Sequence, residues 1–274
     1  MLTPDRIAIN QATTKTQWGF RDSVEGYASR GVRRIGIWLD KLQECGLAEG
    51  KKILDANGMA VTGVNRAGPF VLDGSVPLSA AVDGARTAID VAAELGADCV
   101  LVFPGGMPQG SRDLAGARGR FVSVAAALVD HARGTGVTLG LEPLHPMLAA
   151  DRSVLNTMTE ANDLCDALGS GIGIVVDAYH VWWDVRLKAE IARAGAERLV
   201  GFHVSDWLVP TRDLVFDRGM MGDGVIDNAE IRGWMEAAGY AGAVEVEIFS
   251  ERDWWQKDPD EVVRTAIDRC RTFV

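Results

Sequence analysis

The sequence is poor in cysteine and histidine, and what it has is scattered. Its four cysteines, Cys45, Cys99, Cys165 and Cys270, stand far apart without a C-x-x-C pair. That argues against a zinc knuckle or a disulfide framework and for reduced thiols in cores or on helix faces. Lys and Arg number 28 against 38 Asp and Glu, a formal charge of −10, and no basic run interrupts the acidic balance; nucleic acid is not an expected partner. No apolar run approaches the roughly 18 residues of a membrane span, and no basic segment followed by a long apolar one opens the chain. No membrane partner is expected, and the cytoplasm is the expected location. No G-x-G-x-x-G follows the first apolar run, and Gly222-Asp223-Gly224 comes late in a loop, too weak to read as a phosphate cradle. What the chain does have is apolar residues, 47% against 24% charged over 274 positions, enough to bury a sizeable core.

That length suits one large α/β barrel or two ordinary domains, and the order of elements decides between them. Strands are expected at Arg6–Ala12, Arg34–Trp38, Ala60–Asn65, Cys99–Phe103, Thr138–Glu142, Ile172–Asp177, Leu199–Val204 and Ala243–Ile248. Helices are expected between them. Phe20, Val24 and Tyr27 recur at helical spacing before Gly31, and a second helix stops near Asn57-Gly58. Val82, Ala85, Ile89 and Ala92 form a stripe within Leu78–Leu95, and Phe121, Ala125, Leu128 and Ala132 form another. Thr157-x-x-Glu160 is a capping box, Asp184–Ala194 is a further helix, Asp227-x-x-Glu230 starts the next, and Asp258-Pro259 with Glu261 starts the last. No linker or composition break divides the series. Strands alternating with helices pair in parallel, so a single (β/α)8 TIM barrel over residues 1–274 is expected.

In such a barrel the C-terminal strand ends meet at one mouth, where chemistry sits. Four consecutive strands place a metal-ligating type there: Glu142, Asp177, His203 and Glu247. Each alone is weak, since a strand-end Glu is more often a loop contact and a lone His more often a core hydrogen-bonding group. Jointly they suggest a metal site, because buried carboxylates are costly unpaired and a divalent cation offsets the cost; a structural ion-pair network is the other reading. In Val244-Glu245-Val246-Glu247-Ile248 both glutamates face the barrel interior and the valines the helices. Glu247, nearer the mouth, is the expected ligand, and Glu245 a supporting group one layer lower. Three carboxylates and one imidazole suit one divalent ion, Mn²⁺ first, with Mg²⁺, Co²⁺ or Zn²⁺ as alternatives. Four ligands leave two octahedral positions for a carbonyl and a neighbouring hydroxyl.

The segments Leu141-Glu142-Pro143-Leu144-His145-Pro146, Asp177-Ala178-Tyr179-His180, His203-Val204-Ser205-Asp206 and Val244–Ser250 resemble those of the xylose isomerase-like TIM barrel superfamily of sugar phosphate isomerases and epimerases. The resemblance covers essentially the whole chain. It implies the same four ligands, with Glu142 and Glu247 doubling as the acid/base pair, one on each face of a ketose or keto-sugar, phosphorylated or not. The metal would polarise the ketone and stabilise an enediolate. His180, in the Asp-x-x-His pattern, would bind a substrate hydroxyl or oxyanion, or only a core hydrogen bond. His145 could act as acid/base outside the metal's ligands or merely orient Glu142. Arg212 and Arg218, after strand seven, could reach a substrate oxygen or phosphate, or remain solvated. Trp38 could floor a sugar pocket, and the Trp182-Trp183 and Trp254-Trp255 pairs suit the mouth or a subunit contact; a homo-oligomer is expected. Two departures matter: no further acidic residue closely follows Glu142, and four histidines are too few for the three-zinc endonuclease branch. A rival within the superfamily is a lyase acting on 3-keto glycosides, with His145 as base and a small second subunit; a sugar-binding barrel without turnover is the non-enzymatic one.

Overall fold

A computed structural model describes residues 2–70 and 77–274. Eight parallel strands close on themselves: β1 (Ile7–Asn10), β2 (Arg34–Trp38), β3 (Ala60–Ala67), β4 (Cys99–Val102), β5 (Thr138–Leu141), β6 (Ile172–Asp177), β7 (Leu199–Val204) and β10 (Val244–Val246). Around the ring the order is β1-β10-β7-β6-β5-β4-β3-β2. Two further short strands, β8 (Asp206–Trp207) and β9 (Arg218–Gly219), pair antiparallel above the end of β7. The helices outside the ring are α1 (Phe20–Ser29), α3 (Leu47–Ala56), α4 (Leu78–Leu95), α5 (Leu114–Thr135), α6 (Met158–Leu168), α8 (Leu187–Arg198), α9 (Asn228–Ala237) and α10 (Pro259–Phe273). Single turns, α2 (Leu39–Leu42) and α7 (Ala178–Val181), follow β2 and β6 directly. This is the single (β/α)8 barrel expected from the alternation of strands and helices.

The large apolar core lies between the strands and the helices, where Val244 and Val246 of β10 point as expected. The lumen is filled differently. Cys99, Leu101 and Val175 form a small cluster of their own there. Glycines make room for it: a Cβ at Gly140 would stand 2.9 Å from Val175 Cγ2, and one at Gly201 3.1 Å from it. The space above this plug is left to polar side chains.

Local rules account for the boundaries that differ from the expected ones. β1 stops at Asn10 because the Asn10 side chain accepts from Ala12 N and starts a 3-10 turn over Gln11–Thr14. α5 begins earlier than its apolar stripe, since the Asp113 side chain caps it by accepting from Gly116 N. α8 begins later than Asp184, whose side chain accepts from Arg186 N in a turn preceding the helix. The Thr157–Glu160 capping box of α6 is formed on both sides.

Candidate metal centre

Register places the candidate ligands. Asp177 of β6 stands opposite His203 of β7, and His203 opposite Glu245 of β10. Leu141 ends β5 against Val102, so Glu142 is the first residue above the ring on its side. Glu247 follows β10, its amide donating to Val204 O at 3.1 Å. One ligand atom from each of Glu142, Asp177, His203 and Glu247 can be chosen so that all lie within 4.8 Å of one another.

The polar contacts inside this group are incomplete in a telling way. His203 Nδ1 lies 3.3 Å from Glu142 Oε1 and 3.6 Å from Glu247 Oε2. Both His203 Nδ1 and Glu142 Oε1 are buried without a hydrogen-bond partner. Orphaned buried acceptors and donors are costly, and a cation between them removes the cost. Hard carboxylate oxygens with one imidazole nitrogen fit a divalent ion of the kind expected. The other ring nitrogen, His203 Nε2, is 3.7 Å from Glu245 Oε1. Glu245 is held in turn by Asn10 Nδ2 at 2.7 Å and by Thr62 Oγ1. At 3.7 Å the contact is electrostatic rather than a hydrogen bond; a carboxylate so placed would support a ligating imidazole.

Arg218 reaches the same cluster from β9. Its Nη1 donates to Asp177 Oδ2 at 2.9 Å and to Glu247 Oε2 at 3.2 Å, and its Nη2 lies 3.1 Å from His180 Nε2. The guanidinium is 4.4 Å from the Tyr179 ring centroid and 5.1 Å from that of Phe249. His145 N lies 3.3 Å from His180 Nδ1; a neutral ring accepts at one nitrogen only, so it accepts either from this amide or from Arg218 at Nε2, not from both. With its neighbours so placed, His180 is a neutral imidazole: burial above all, with Arg218 adding to it, pushes its pKa down to about 3 despite Asp177.

The carboxylates diverge. Burial, with Glu247 nearby, pushes Glu142 up to about 7. Burial acts on Asp177 as well, but the Arg218 guanidinium, helped by the hydrogen bond from Tyr179 N, outweighs it and holds the group below the ordinary range. Burial disfavours charge on His203 too; Glu245, Glu142 and Glu247 together override it and hold its pKa well above the ordinary value. In the metal-free protein Glu142 and His203 therefore carry the protons that a cation would displace.

A cavity of about 540 Å³ opens above the cluster, with Glu142, Glu247, His180, Arg218 and Trp38 on its wall. Trp38 thus stands where expected, its Nε1 donating to Asn10 Oδ1 at 2.7 Å. Other expected residues stand elsewhere. The His145 ring stacks on Trp207 at 4.8 Å and meets Trp183 edge-on, so its backbone amide, not its imidazole, contacts His180. Arg212 is held in a two-pronged pair with Asp217, Nε lying 2.9 Å from Oδ1, and is off the cavity wall. The four paired tryptophans have partners within the chain: Trp182 packs near Trp207, Trp183 donates to His180 O, Trp254 is buried in the core, and Trp255 donates to Ala12 O from the cavity wall. Asn10, Thr62, Arg66 and Arg152 were not singled out from sequence. Arg66 stands at the mouth end of β3, where the strand-end rule could have found it; Arg152 lies in an irregular loop that carries no such signal.

Comparison with known proteins agrees with the architecture. The model of the xylose isomerase-like TIM barrel family matches residues 23–273. The curated inosose isomerase of Halalkalibacterium halodurans is 28% identical over 155 residues, 54% of this chain and 51% of that one; the match thus spans about half the length of this relative. Among solved structures, protein SMc04130 from Sinorhizobium meliloti 1021 is 46% identical over 99% of both chains, with a TM-score of 0.96. The IOLI protein with a bound zinc atom superposes with a TM-score of 0.83 at 18% identity, over 98% of this chain and 99% of that one. From its barrel, its match along nearly the whole sequence and these likenesses, the chain belongs to the xylose isomerase-like TIM barrel family.

Proposed function

We propose that the protein is a metal-dependent isomerase or epimerase that moves a proton on a ketose or keto-sugar. The observation that carries this reading is the orphaned pair Glu142 Oε1 and His203 Nδ1, set among three carboxylates at the floor of a cavity. Glu142, Asp177, His203 and Glu247 would hold one divalent ion, Mn²⁺ first, with Mg²⁺, Co²⁺ and Zn²⁺ as alternatives. Once bound, the ion supplies electrophilic polarisation of the substrate carbonyl.

The rest of the chemistry belongs to the chain. Glu142 or Glu247 takes the proton from the carbon next to the carbonyl, and the C–H electron pair passes into the substrate's enediolate. The partner glutamate, entering the step as the carboxylic acid, returns its proton to the opposite face or to the neighbouring carbon, so that one glutamate gains a proton as the other gives one up. Arg218, kept charged by Asp177 and Glu247, and neutral His180 face the cavity together and would bind substrate oxygens. Trp38 offers an apolar face to sugar C–H groups. His145 acts on this reading through its amide, which orients His180. The lyase reading gains no observation of its own, since the histidine it needs as base stacks on Trp207, meets Trp183 edge-on and is off the cavity wall.

The test is elemental analysis followed by deuterium wash-in with a panel of ketoses and 3-keto glycosides. About one divalent ion per chain, lost in Glu247→Gln, together with deuterium incorporated at carbon from D₂O, is expected. A protein that takes up no Mn²⁺, Co²⁺ or Zn²⁺ would sink the reading. Release of an aglycone with no proton exchange on free ketoses would move it to the lyase.

A further inference from the structure

Charge around the cavity is paired, with one exception. Lys15 meets Asp40 at 2.9 Å, and Lys41 meets Glu44 at 3.1 Å. Arg218 serves Asp177 and Glu247. The three carboxylates of the cluster would be balanced by a divalent ion together with Arg218. Two cations are left over on the cavity wall, Arg66 from the end of β3 and Arg152 from the loop after β5. Among the described residues, neither has a carboxylate within ion-pairing distance.

Both guanidinium groups are held by rings rather than by partners. Arg66 lies 4.2 Å from the Phe103 centroid and 5.7 Å from that of Trp38, and Arg152 lies 5.9 Å from that of Phe216. A guanidinium stacked on a ring keeps its N–H edge free for a planar or tetrahedral oxyanion. Both groups are half-buried, and they stand close enough that Arg152, after burial itself, helps to depress the pKa of Arg66. Like charges held together out of bulk water are unfavourable until an anion joins them. In a chain of net charge −10, an unpaired basic pair inside the one cavity that holds the carboxylate cluster calls for a ligand.

We propose that Arg66 and Arg152 form an anion subsite on the β3–β5 side of the mouth, which takes an oxyanion carried by the substrate away from its reacting carbons. The inference rests on the preceding reading for the position of the reacting end. The substrate class narrows accordingly to keto-sugars that carry a phosphate monoester or a carboxylate. Two guanidinium groups match the charge of a phosphate dianion, which favours the monoester.

The test is titration calorimetry on the Mn²⁺-loaded protein with D-fructose 6-phosphate, D-fructuronate, D-fructose and inorganic phosphate. The phosphate ester is expected to bind at least about tenfold more tightly than fructose, and inorganic phosphate to compete with it. Tight binding of the uronate instead would assign the same subsite to a carboxylate. Arg66→Gln and Arg152→Gln should each remove the preference and leave fructose binding unchanged, while Arg66→Lys should keep part of it. Equal affinity for charged and neutral probes in the wild type, or a preference that survives in both Gln variants, overturns the proposal. The wild-type competition needs no variant and so stands even where a substitution impairs folding. Anion preference without deuterium exchange would spare the subsite and sink the isomerase reading; exchange without anion preference would do the reverse.

Discussion

At the scale of single residues the site depends on how burial and neighbouring charge set each proton. Glu142 and Asp177 are both strand-end carboxyls, yet burial carries one up to about 7 while Arg218 holds the other low. The consequence for metal uptake has a definite sign. A cation needs the Glu142 carboxylate and the free Nδ1 lone pair of His203. Glu142 is protonated in the metal-free protein below about pH 7, and His203, its pKa well raised, is protonated through the neutral range. Binding must expel those protons, so affinity rises with pH through neutrality and falls below it, by about tenfold per pH unit for each proton displaced. Calorimetric titration with Mn²⁺ in buffers of different ionisation enthalpy at pH 6 should show proton release, diminishing as pH rises. Uptake with no proton release at pH 6 would mean that the two groups are already deprotonated, contrary to their burial. The four candidate ligands were legible as a group in the sequence because residue type and strand-end position suffice to single them out, and the structure brings them within 4.8 Å of one another. His145 was not, since its ring orientation depends on Trp183 and Trp207, which lie far from it in the sequence.

At the scale of elements, the strands do more than present ligands. β10 carries Glu247 to the mouth and Glu245 one layer below, as its alternation implies, and the lower glutamate is gripped by β1 and β3 through Asn10 and Thr62. β2 makes this possible by leaving space. A Cβ at Gly36 would collide with Glu245 Oε1 and stand 2.7 Å from Asn10 Nδ2. Gly36→Ala must therefore displace the Glu245 carboxylate that lies 3.7 Å from His203 Nε2. A cost of about 1–3 kcal/mol is expected for overpacking such a site, together with weaker Mn²⁺ binding. Gly84→Ala is the matched control. Gly84 lies exposed within α4 with nothing near its would-be Cβ, so it should gain about 0.5–1 kcal/mol from helix propensity. Urea denaturation of the two variants, with metal titration of each, checks both signs; an unperturbed Gly36→Ala would mean that Glu245 does not need its place. The hairpin of β8 and β9 marks where sequence reading ran out. Its strands have two residues each, too short for any periodicity. Yet it separates Arg218, delivered into the cluster, from Arg212, which stays outside with Asp217. Two arginines six positions apart looked equivalent until the fold distinguished them.

At the scale of the whole molecule, the barrel was legible because the alternation of strand and helix is a global pattern that local boundary errors do not disturb. Misjudging the last residue of β1 or the first of α8 left the number and order of strands unchanged, and with them the convergence of four ends on one mouth. The Arg66–Arg152 pair was not legible, because only barrel closure brings these two residues, separated by a whole β/α unit and more, to the same wall. Closure would also make a metal bound at the proposed site a stability element. The cluster draws on β5, β6, β7 and the segment after β10, half of the ring, so an ion bound there ties together strands whose separation is part of unfolding. Binding to the folded state alone stabilises by about 2.7 kcal/mol at a hundredfold excess over the dissociation constant. In a chain of this size that corresponds to a rise in melting temperature of roughly 5–10 °C. Scanning calorimetry with and without Mn²⁺ should show this shift in the wild type and little of it in Glu247→Gln. Arg218 makes the comparison informative. Neutralising Glu247 leaves Arg218 still paired with Asp177, so the metal-free variant should melt near or above the metal-free wild type, relieved of one crowded carboxylate. A variant that loses both its metal response and its metal-free stability would show that Glu247 holds the barrel together through Arg218, with the ion secondary to that contact.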